Sequence, residues 1–364
     1  MTSRKEAPST ENDGPLLEQF AARLRQRPFR PHRLLRNGHL QTVVASKIRR
    51  RFEWGWRRSQ VEYVDLGDGT RVRTVCVFHP EAGPTLIAVH GMAGSSDSNY
   101  MRGISHKAFR SGWNAVLLNL YNTNDQLKTP RIFHAGSSPE LGELVLRLIH
   151  KLHIQELFLA GVSMGGNLIL KLLGEWGCHY PRCLRSVGVI SPLVDLTRSW
   201  QILEKPSNTL YRVHFVRSLK GLVRRRAAFL SPFVDLPALM RIATVREFDE
   251  LFTAPLGGFR NAFDYYRQAS AAPRMKAIRV PTLCLHSKDD PLLPWQPLTD
   301  PEVLSNRKIL TSLTEKGGHV AFIERERQDI DRSWAENRTI DFFERSRQFR
   351  PPVAVAPIPR KHSS

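Results

Sequence analysis

Cysteines, acidic residues and long apolar runs are all scarce in this chain. Four cysteines do not suggest a disulfide framework, so we expect reduced thiols and a cytoplasmic protein. The first 15 residues lack the apolar segment of a secretory signal. The longest nearly uncharged run, residues 157–170, is shorter than a membrane span. These absences argue against a secreted or membrane-spanning protein.

The shortage of acidic residues leaves a large positive charge. Lys and Arg number 54 against 34 Asp and Glu, which gives a formal net charge of +20. Such a balance suggests nucleic acid or an anionic membrane surface as a partner. No nucleic-acid-binding motif accompanies the cationic clusters, so we expect no specific nucleic-acid partner. A solvated arginine-rich surface and peripheral association with an anionic membrane both stay open.

One N-terminal segment bears on the membrane alternative. Residues 15–27 place apolar side chains on one helical face and arginines on or near the other side. A basic amphipathic helix of this kind could lie at a membrane interface. It could equally pack its apolar face on the body of the protein. The apolar residues are Leu16, Leu17, Phe20, Ala21 and Leu24.

A second segment combines a strand, a serine and a helix. Residues 156–160 predict a buried strand, and residues 166–173 carry apolar side chains at helical spacing. Between them, Gly161 and Gly165 flank Ser163 at its second neighbours. This pattern is typical of a nucleophile elbow, in which a strained turn exposes the serine at a helix N-terminus. We therefore predict Ser163 as the nucleophile; a plain Gly-rich turn is the alternative.

Two later segments supply partners for this serine. Residues 280–286 predict a buried strand that runs into an acidic loop at 287–291. Residues 308–313 predict a further strand, and a Gly-Gly pair and His319 follow it. The chain order Ser, Asp, His is the one that proteins with such an elbow use. We predict that His319 accepts the proton of Ser163.

The acidic loop offers two carboxylates for the third position. Asp290 precedes Pro291 and Pro294, and this pattern resembles the acid loop of many α/β-hydrolases, which implies Asp290 as the partner of His319. The neighbouring Asp289 could instead cap the turn or accept hydrogen bonds from backbone amides. We predict Asp290 as the acid, with Asp289 as the alternative.

A site of this kind also needs donors for the developing oxyanion. Residues 84–89 predict a buried strand, and a loop of small residues follows at 90–96. We predict the backbone N–H groups of Met92 and Met164 as the donors. His90 stands at the end of the strand, where we expect it to hydrogen-bond the loop rather than act as a base.

The order of predicted elements indicates the fold class and the domains. Residues 61–66 and 71–77 flank an Asp-Gly turn and predict a hairpin. From residue 84 strands and helices alternate, which predicts an α/β protein with a mostly parallel central sheet and helices on both faces. The predicted domains are a disordered segment (1–13), a basic N-terminal extension (14–59), two core segments (60–194 and 280–347), a helical cap insertion (195–279) and a disordered tail (348–364).

The cap and the closing helix are predicted from apolar spacing. Residues 195–279 show no strand pattern, and their apolar residues recur at helical spacing between prolines. A helical insertion at this point would cover the site. Residues 320–343 predict the closing helix, with inward-facing Ile323, Ile330, Trp334, Ile340 and Phe343.

Together these motifs resemble a known family. The elbow, the acid loop and the Gly-Gly-His motif resemble the α/β-hydrolases, and the resemblance covers roughly residues 28–345. Residues 29–42, the loop at 90–96, Tyr100, the elbow at 161–167 and His134-Ala135-Gly136 are similar to the YheT-like branch, which includes animal α/β-hydrolase-domain esterases and phospholipases. Residues 119–124 differ from the Asn-x-Arg-Gly loop of that branch. The resemblance implies a serine hydrolase of carboxylic esters without a cofactor.

We therefore expect a cytoplasmic esterase that uses Ser163, His319 and Asp290 through an acyl-enzyme. One alternative is a phospholipase or lipid acyl hydrolase that works at anionic membranes, favoured by the basic surface. Another is a non-catalytic α/β-hydrolase-fold protein that binds a lipid or a partner. The partner expected in the first two cases is a small-molecule or lipid ester.

Overall fold

The computed structural model describes residues 14–48, 50, 52, 59–67, 69–81, 83–120, 132–326, 329 and 331–349. The predicted disordered segment at 1–13 lies outside the described residues. So do residues 121–124 of the loop that differs from the YheT-like pattern.

The described residues form one sheet of eight strands, in the spatial order β1-β2-β4-β3-β5-β6-β7-β8. Strand β2 runs antiparallel to β1 and β4, and every other neighbouring pair is parallel. The predicted hairpin and the mostly parallel sheet are therefore confirmed. The strands are β1 (Gln60–Asp65), β2 (Arg71–Val77), β3 (Thr85–Val89), β4 (Asn114–Asn119), β5 (Leu157–Val162), β6 (Leu184–Ile190), β7 (Thr282–Ser287) and β8 (Ile309–Thr314).

Helices cover both faces of this sheet, because alternate side chains of its central strands are apolar on each side. In β5, Leu157 and Leu159 pack in one hydrophobic cluster, and Phe158 and Ala160 pack in the other. The first cluster includes α4 (Ser138–Lys151) and α5 (Met164–Trp176); the second includes α1 (Gly14–Gln26), α3 (Asn99–Arg110) and α14 (Trp334–Phe349). Helix α2 (Gly38–Lys47) lies beside the loop that carries His319.

The first helix packs on the body of the protein. Leu16 and Phe20 are buried, and the Phe20 ring lies 5.1 Å from that of Phe342 in α14. The Arg23 guanidinium also donates to the Asp341 carboxylate. The apolar face of residues 15–27 is thus covered by protein, which decides between the two alternatives left by the sequence.

A helical insertion, residues 196–277, separates β6 from β7. All of its residues are described and none forms a strand, in agreement with the apolar spacing. Its own cluster includes Val216, Leu219 and Phe252 and extends to Leu292 and Leu293, just beyond the acid loop. The helices here are α6 (Leu196–Leu203), α7 (Thr209–Arg225), α8 (Ala227–Leu230), α9 (Leu236–Arg241), α10 (Val245–Phe248), α11 (Ala254–Leu256) and α12 (Ala262–Ala269); α13 (Pro301–Leu304) follows β7.

The prediction of a closing helix over residues 320–343 is wrong in its bounds. Helix α14 begins at Trp334 and continues to Phe349, into the first two residues of the predicted tail. Residues 320–326 form a loop, with a positive φ at Val320 and Phe322. Ile330 lies outside the described residues. Long-range hydrogen bonds fix this loop, including one from the Ile323 N–H to the Gln41 side chain.

Two further features concern the cysteines and the helix lengths. All four cysteines are free, and Cys76 and Cys284 are buried in strands. Among the described helices, none is long and apolar enough to cross a bilayer.

Candidate active site

Ser163 lies at a strained turn between β5 and α5. Its φ of 53° with ψ of −118° is a conformation that costs a non-glycine residue about 1–3 kcal/mol. The flanking glycines permit the turn: a Cβ on Gly161 would lie 2.7 Å from the Gly165 carbonyl oxygen, and one on Gly165 would lie 2.3 Å from the Val89 carbonyl oxygen. Contacts this short exclude any side chain at either position. The local geometry is that of a nucleophile elbow.

His319 and Asp290 extend from Ser163 as a chain of hydrogen bonds. The Ser163 Oγ lies 3.1 Å from His319 Nε2, and His319 Nδ1 lies 2.8 Å from Asp290 Oδ2. Asp290 also accepts the N–H groups of Leu292 and Leu293 at Oδ1. Burial raises the pKa of the Asp290 carboxyl, but the neighbouring His319 and these hydrogen bonds outweigh it, and the pKa lies below its usual range. The structure thus brings all three predicted side chains together.

The neighbouring Asp289 has a different set of contacts. Its Oδ1 accepts the N–H of Gly318 at 2.9 Å, and its carboxylate makes no hydrogen bond with the His319 ring among the described contacts. Asp289 therefore holds the backbone that leads into His319. This contact matches the alternative in which Asp289 bonds a backbone amide.

The two residues predicted as oxyanion donors belong to segments next to Ser163: Met92 to the loop after β3, and Met164 to the start of α5. A Cβ on Gly91 would lie 3.0 Å from the Ser163 Cβ, so the loop after β3 passes directly beside the serine. The Gly91 N–H donates to the Tyr100 hydroxyl, which fixes that loop. Met92 and Met164 both line the same cavity as Ser163.

His90 is buried beneath this loop. Its Nδ1 donates to the Gly91 carbonyl at 2.7 Å, and its Nε2 accepts the Leu120 N–H at 3.1 Å. Burial lowers the pKa of the ring to about 4, although the hydrogen bond to Gly91 raises it in part. The prediction that His90 bonds the loop is confirmed.

Two residues of α2 hold the His319 loop, and sequence analysis gave neither a role. The His319 N–H donates to Thr42 Oγ1 at 2.8 Å, and the Ile323 N–H donates to Gln41 Oε1 at 2.8 Å. Thr42 in turn donates to the Gly38 carbonyl. The available signal was Asn37, a helix N-cap whose side chain accepts the Leu40 N–H. This cap predicts where α2 begins, but it does not predict that α2 contacts the loop carrying His319.

His286 is a second histidine behind the acid that sequence analysis did not single out. It is fully buried in β7, its Nδ1 donates to the Ser287 carbonyl at 2.9 Å, and its Nε2 lies 3.9 Å from Asp290 Oδ2. Burial lowers the pKa of this ring despite the nearby carboxylate. A neutral imidazole therefore packs against the buried carboxylate.

Ser163 and His319 line a cavity of 1100 Å³ between the sheet and the helical insertion. Most of its inner wall is apolar and comes from the insertion and from the residues after the acid loop. This wall includes Leu196, Leu203, Leu219, Phe248, Phe252, Leu292 and Leu293. A site with one polar reaction centre and an apolar chamber suits a substrate with a long apolar part.

A buried carboxyl lies in the apolar wall. Asp249 is buried and accepts the Tyr266 hydroxyl at 2.9 Å. Burial raises the pKa of its carboxyl from 3.8 to about 7, while hydrogen bonds from Thr253 and Tyr266 lower it in part. The carboxyl therefore keeps its proton to a much higher pH than an exposed aspartic acid does.

This raised pKa predicts a pH-dependent contribution to stability. The folded protein binds the Asp249 proton more tightly than the unfolded chain, so the free energy of unfolding should fall between pH 3.8 and about 7. Asp249→Asn removes this fall, which amounts to about 4 kcal/mol for a shift of this size. Urea unfolding across this pH range measures the difference between the variant and the parent protein.

A second variant makes this test specific. Tyr266→Phe removes a donor that stabilises the Asp249 carboxylate, so the fall should still begin near pH 3.8 but extend to higher pH. A stability difference between Asp249→Asn and the parent that does not change with pH would contradict the assignment.

Within the residues that the structure describes, no cluster of three His, Cys, Asp or Glu side chains could hold a metal ion. The side chains that hydrogen bonds join at the site are those of Ser163, His319 and Asp290.

Comparison with known proteins agrees with this architecture. The family described as alpha/beta hydrolase fold matches residues 84–326. The putative esterase YheT of Escherichia coli is 31% identical over 81% of this chain and 87% of its own length. Human phospholipase ABHD3 is 31% identical over 72% of this chain and 66% of its own length. The Pyrococcus furiosus esterase Pf2001 has a similar fold, with a TM-score of 0.51, 14% identity and coverage of 79% of this chain and 92% of that one.

The matched family, the sheet order and the elbow define an α/β-hydrolase. The chain belongs to this family, within the branch that contains the putative esterase YheT.

Proposed function

We propose that the protein hydrolyses carboxylic esters with Ser163 as nucleophile, His319 as general base and acid, and Asp290 as the group that orients the imidazole. The observation that carries this proposal is the hydrogen-bonded chain from Ser163 Oγ through His319 to Asp290 at the wall of an apolar cavity. The test is reaction with a fluorophosphonate, which modifies an activated serine; a protein that only binds lipids would not react.

The proposed reaction runs through an acyl-enzyme. Ser163 Oγ attacks the ester carbonyl carbon while His319 Nε2 takes its proton. The N–H groups of Met92 and Met164 stabilise the oxyanion. The C–O bond to the alcohol breaks as His319 returns the proton to the leaving oxygen. Water, deprotonated by His319, then releases the carboxylic acid and restores Ser163.

We infer that the acyl chain of the substrate occupies the apolar cavity. Its volume of 1100 Å³ exceeds the needs of an acetyl group, and its inner wall is apolar. Two relatives are named for activity on lipid esters, a phospholipase and a monoacylglycerol lipase. These names favour a lipid ester as the substrate class. The proposed cytoplasmic location and any membrane association remain separate proposals.

This placement predicts a rise in kcat/KM with acyl length in a p-nitrophenyl ester panel. Each additional buried CH₂ contributes about 0.8 kcal/mol, or roughly fourfold in kcat/KM, until the cavity is filled. Leu219→Trp fills part of the cavity and should shift the acyl length with the highest kcat/KM to shorter chains. Leu304→Trp, on exposed α13, is the matched control and should leave the optimum unchanged. Highest kcat/KM for the acetyl ester would contradict the placement.

A phospholipase is the second candidate, and the basic surface favours it. Fatty acid release from phospholipid vesicles, set against release from a monoacylglycerol, separates it from a simple esterase.

A further inference from the structure

Helix α2 has its polar side chains inside and its apolar side chains outside. Gln41 and Thr42 are buried and bind the backbone around His319. Leu40, Val43 and the C-cap residue Ile48 are each nearly half exposed. A surface helix normally shows the opposite pattern. The inner face of α2 thus serves the candidate active site, while Leu40, Val43 and Ile48 leave apolar surface exposed on its outer side.

Helix α7 continues this apolar surface. Leu210, at its start, is 84% exposed and lines the same cavity as Ser163. The next residue, Tyr211, stacks its ring on His39 of α2 at 5.7 Å. The exposed members of the cavity lining come mainly from residues 37–48 and 207–214. We call these two segments the rim, because they surround the opening of the cavity.

The two longer stretches of chain that contain the rim segments are rich in positive charge. Residues 19–52 contain ten Lys or Arg and no Asp or Glu, and residues 205–234 contain seven and again no acid. On α7, Arg217, Arg224 and Arg225 are exposed, and Lys220 is half-buried. Within the described structure none of these four forms an ion pair. The rim exposes apolar side chains, and unpaired cations follow further along α7. This combination matches an anionic lipid surface.

We propose that the rim docks on an anionic lipid bilayer, with Leu40, Val43, Ile48 and Leu210 among the acyl chains and the α7 cations at the headgroups. This proposal rests on the proposed hydrolysis of lipid esters, because docking would bring the cavity opening to the substrate. Helix α1 does not serve this purpose, since its apolar face is buried against α14.

The test is sedimentation with phosphatidylcholine vesicles, with and without phosphatidylglycerol, on a Ser163→Ala background. Turnover is absent there, so binding is measured independently of the proposed hydrolysis. The protein should bind the phosphatidylglycerol vesicles preferentially and be released by high salt, because salt screens exposed charges. No binding, or equal binding to both vesicle types, would overturn the proposal.

Two sets of variants locate the contact. Arg217→Gln/Arg224→Gln/Arg225→Gln should weaken binding by roughly 100-fold, the scale for three cations at an anionic surface. The control Arg110→Gln/Arg182→Gln/Arg307→Gln removes the same charge from exposed positions elsewhere and should have far less effect. Equal losses would show that net charge alone drives binding, which contradicts a defined rim.

The apolar contact has its own matched pair. Leu40→Ser/Leu210→Ser should weaken vesicle binding at least about tenfold. Leu304→Ser changes a leucine that is 61% exposed on α13 and should change nothing. Unchanged vesicle binding by the double variant would overturn the proposal. A dimer of the parent protein that this double variant abolishes would also overturn it, by assigning the rim to a second copy of the chain.

Discussion

Ser163→Ala should lower kcat for a short p-nitrophenyl ester by roughly a million-fold, the scale seen when the serine of a comparable triad is removed. The loss is large because no other atom at the site can form the acyl-enzyme. Initial rates with the purified variant measure it.

The fold of this variant should be unaffected. Alanine keeps the backbone at position 163, where the turn is fixed by a hydrogen bond from the Ser163 N–H to the Ile190 carbonyl. Circular dichroism and thermal unfolding test this point. Ser305→Ala, an exposed serine beyond α13, is the control and should retain full activity. Substantial hydrolysis by Ser163→Ala would assign the nucleophile to another residue.

Asp290→Asn should lower kcat by roughly 10³–10⁴. The amide can no longer accept and stabilise the His319 Nδ1–H as the carboxylate does, so the imidazole adopts the wrong tautomer. The measurement is kcat for the same short ester.

Asp289→Asn is the matched control for this change, because it removes a neighbouring carboxylate from the same loop. Its oxygen can still accept the Gly318 N–H, so kcat should fall far less. If Asp289→Asn were the more damaging substitution, the acid would have to be reassigned to Asp289.

The elbow and the fold class could be predicted from the sequence because their signals are local. The strand, the two glycines and the helix around Ser163 are contiguous, and the steric reason for the glycines applies wherever such a turn occurs. Alternation of strands and helices likewise predicts a parallel sheet with covered faces.

The choice between Asp289 and Asp290 needs the structure, because it depends on how the acid loop meets His319, 29 residues after Asp290. The same holds for α1: its apolar face was visible in the sequence, but the sequence does not say whether protein or lipid covers it.

The predicted closing helix begins too early, at residue 320 instead of Trp334. Apolar residues at 320–333 occur at helical spacing, yet residues 320–326 form a loop. Within it the Val320 N–H is bound by Ser191 and the Ile323 N–H by Gln41, both far away in the chain. Tertiary hydrogen bonds here override the local pattern. The contact between Thr42 and His319 could not be predicted from the sequence either, because 277 residues separate them.

The most direct test of the proposed mechanism is to locate a fluorophosphonate adduct by peptide mass spectrometry. We expect one adduct per chain, on the peptide that contains Ser163, and we expect no adduct when acyl-chain analogues fill the cavity. An adduct on a different serine, or no adduct in a folded protein, would contradict it.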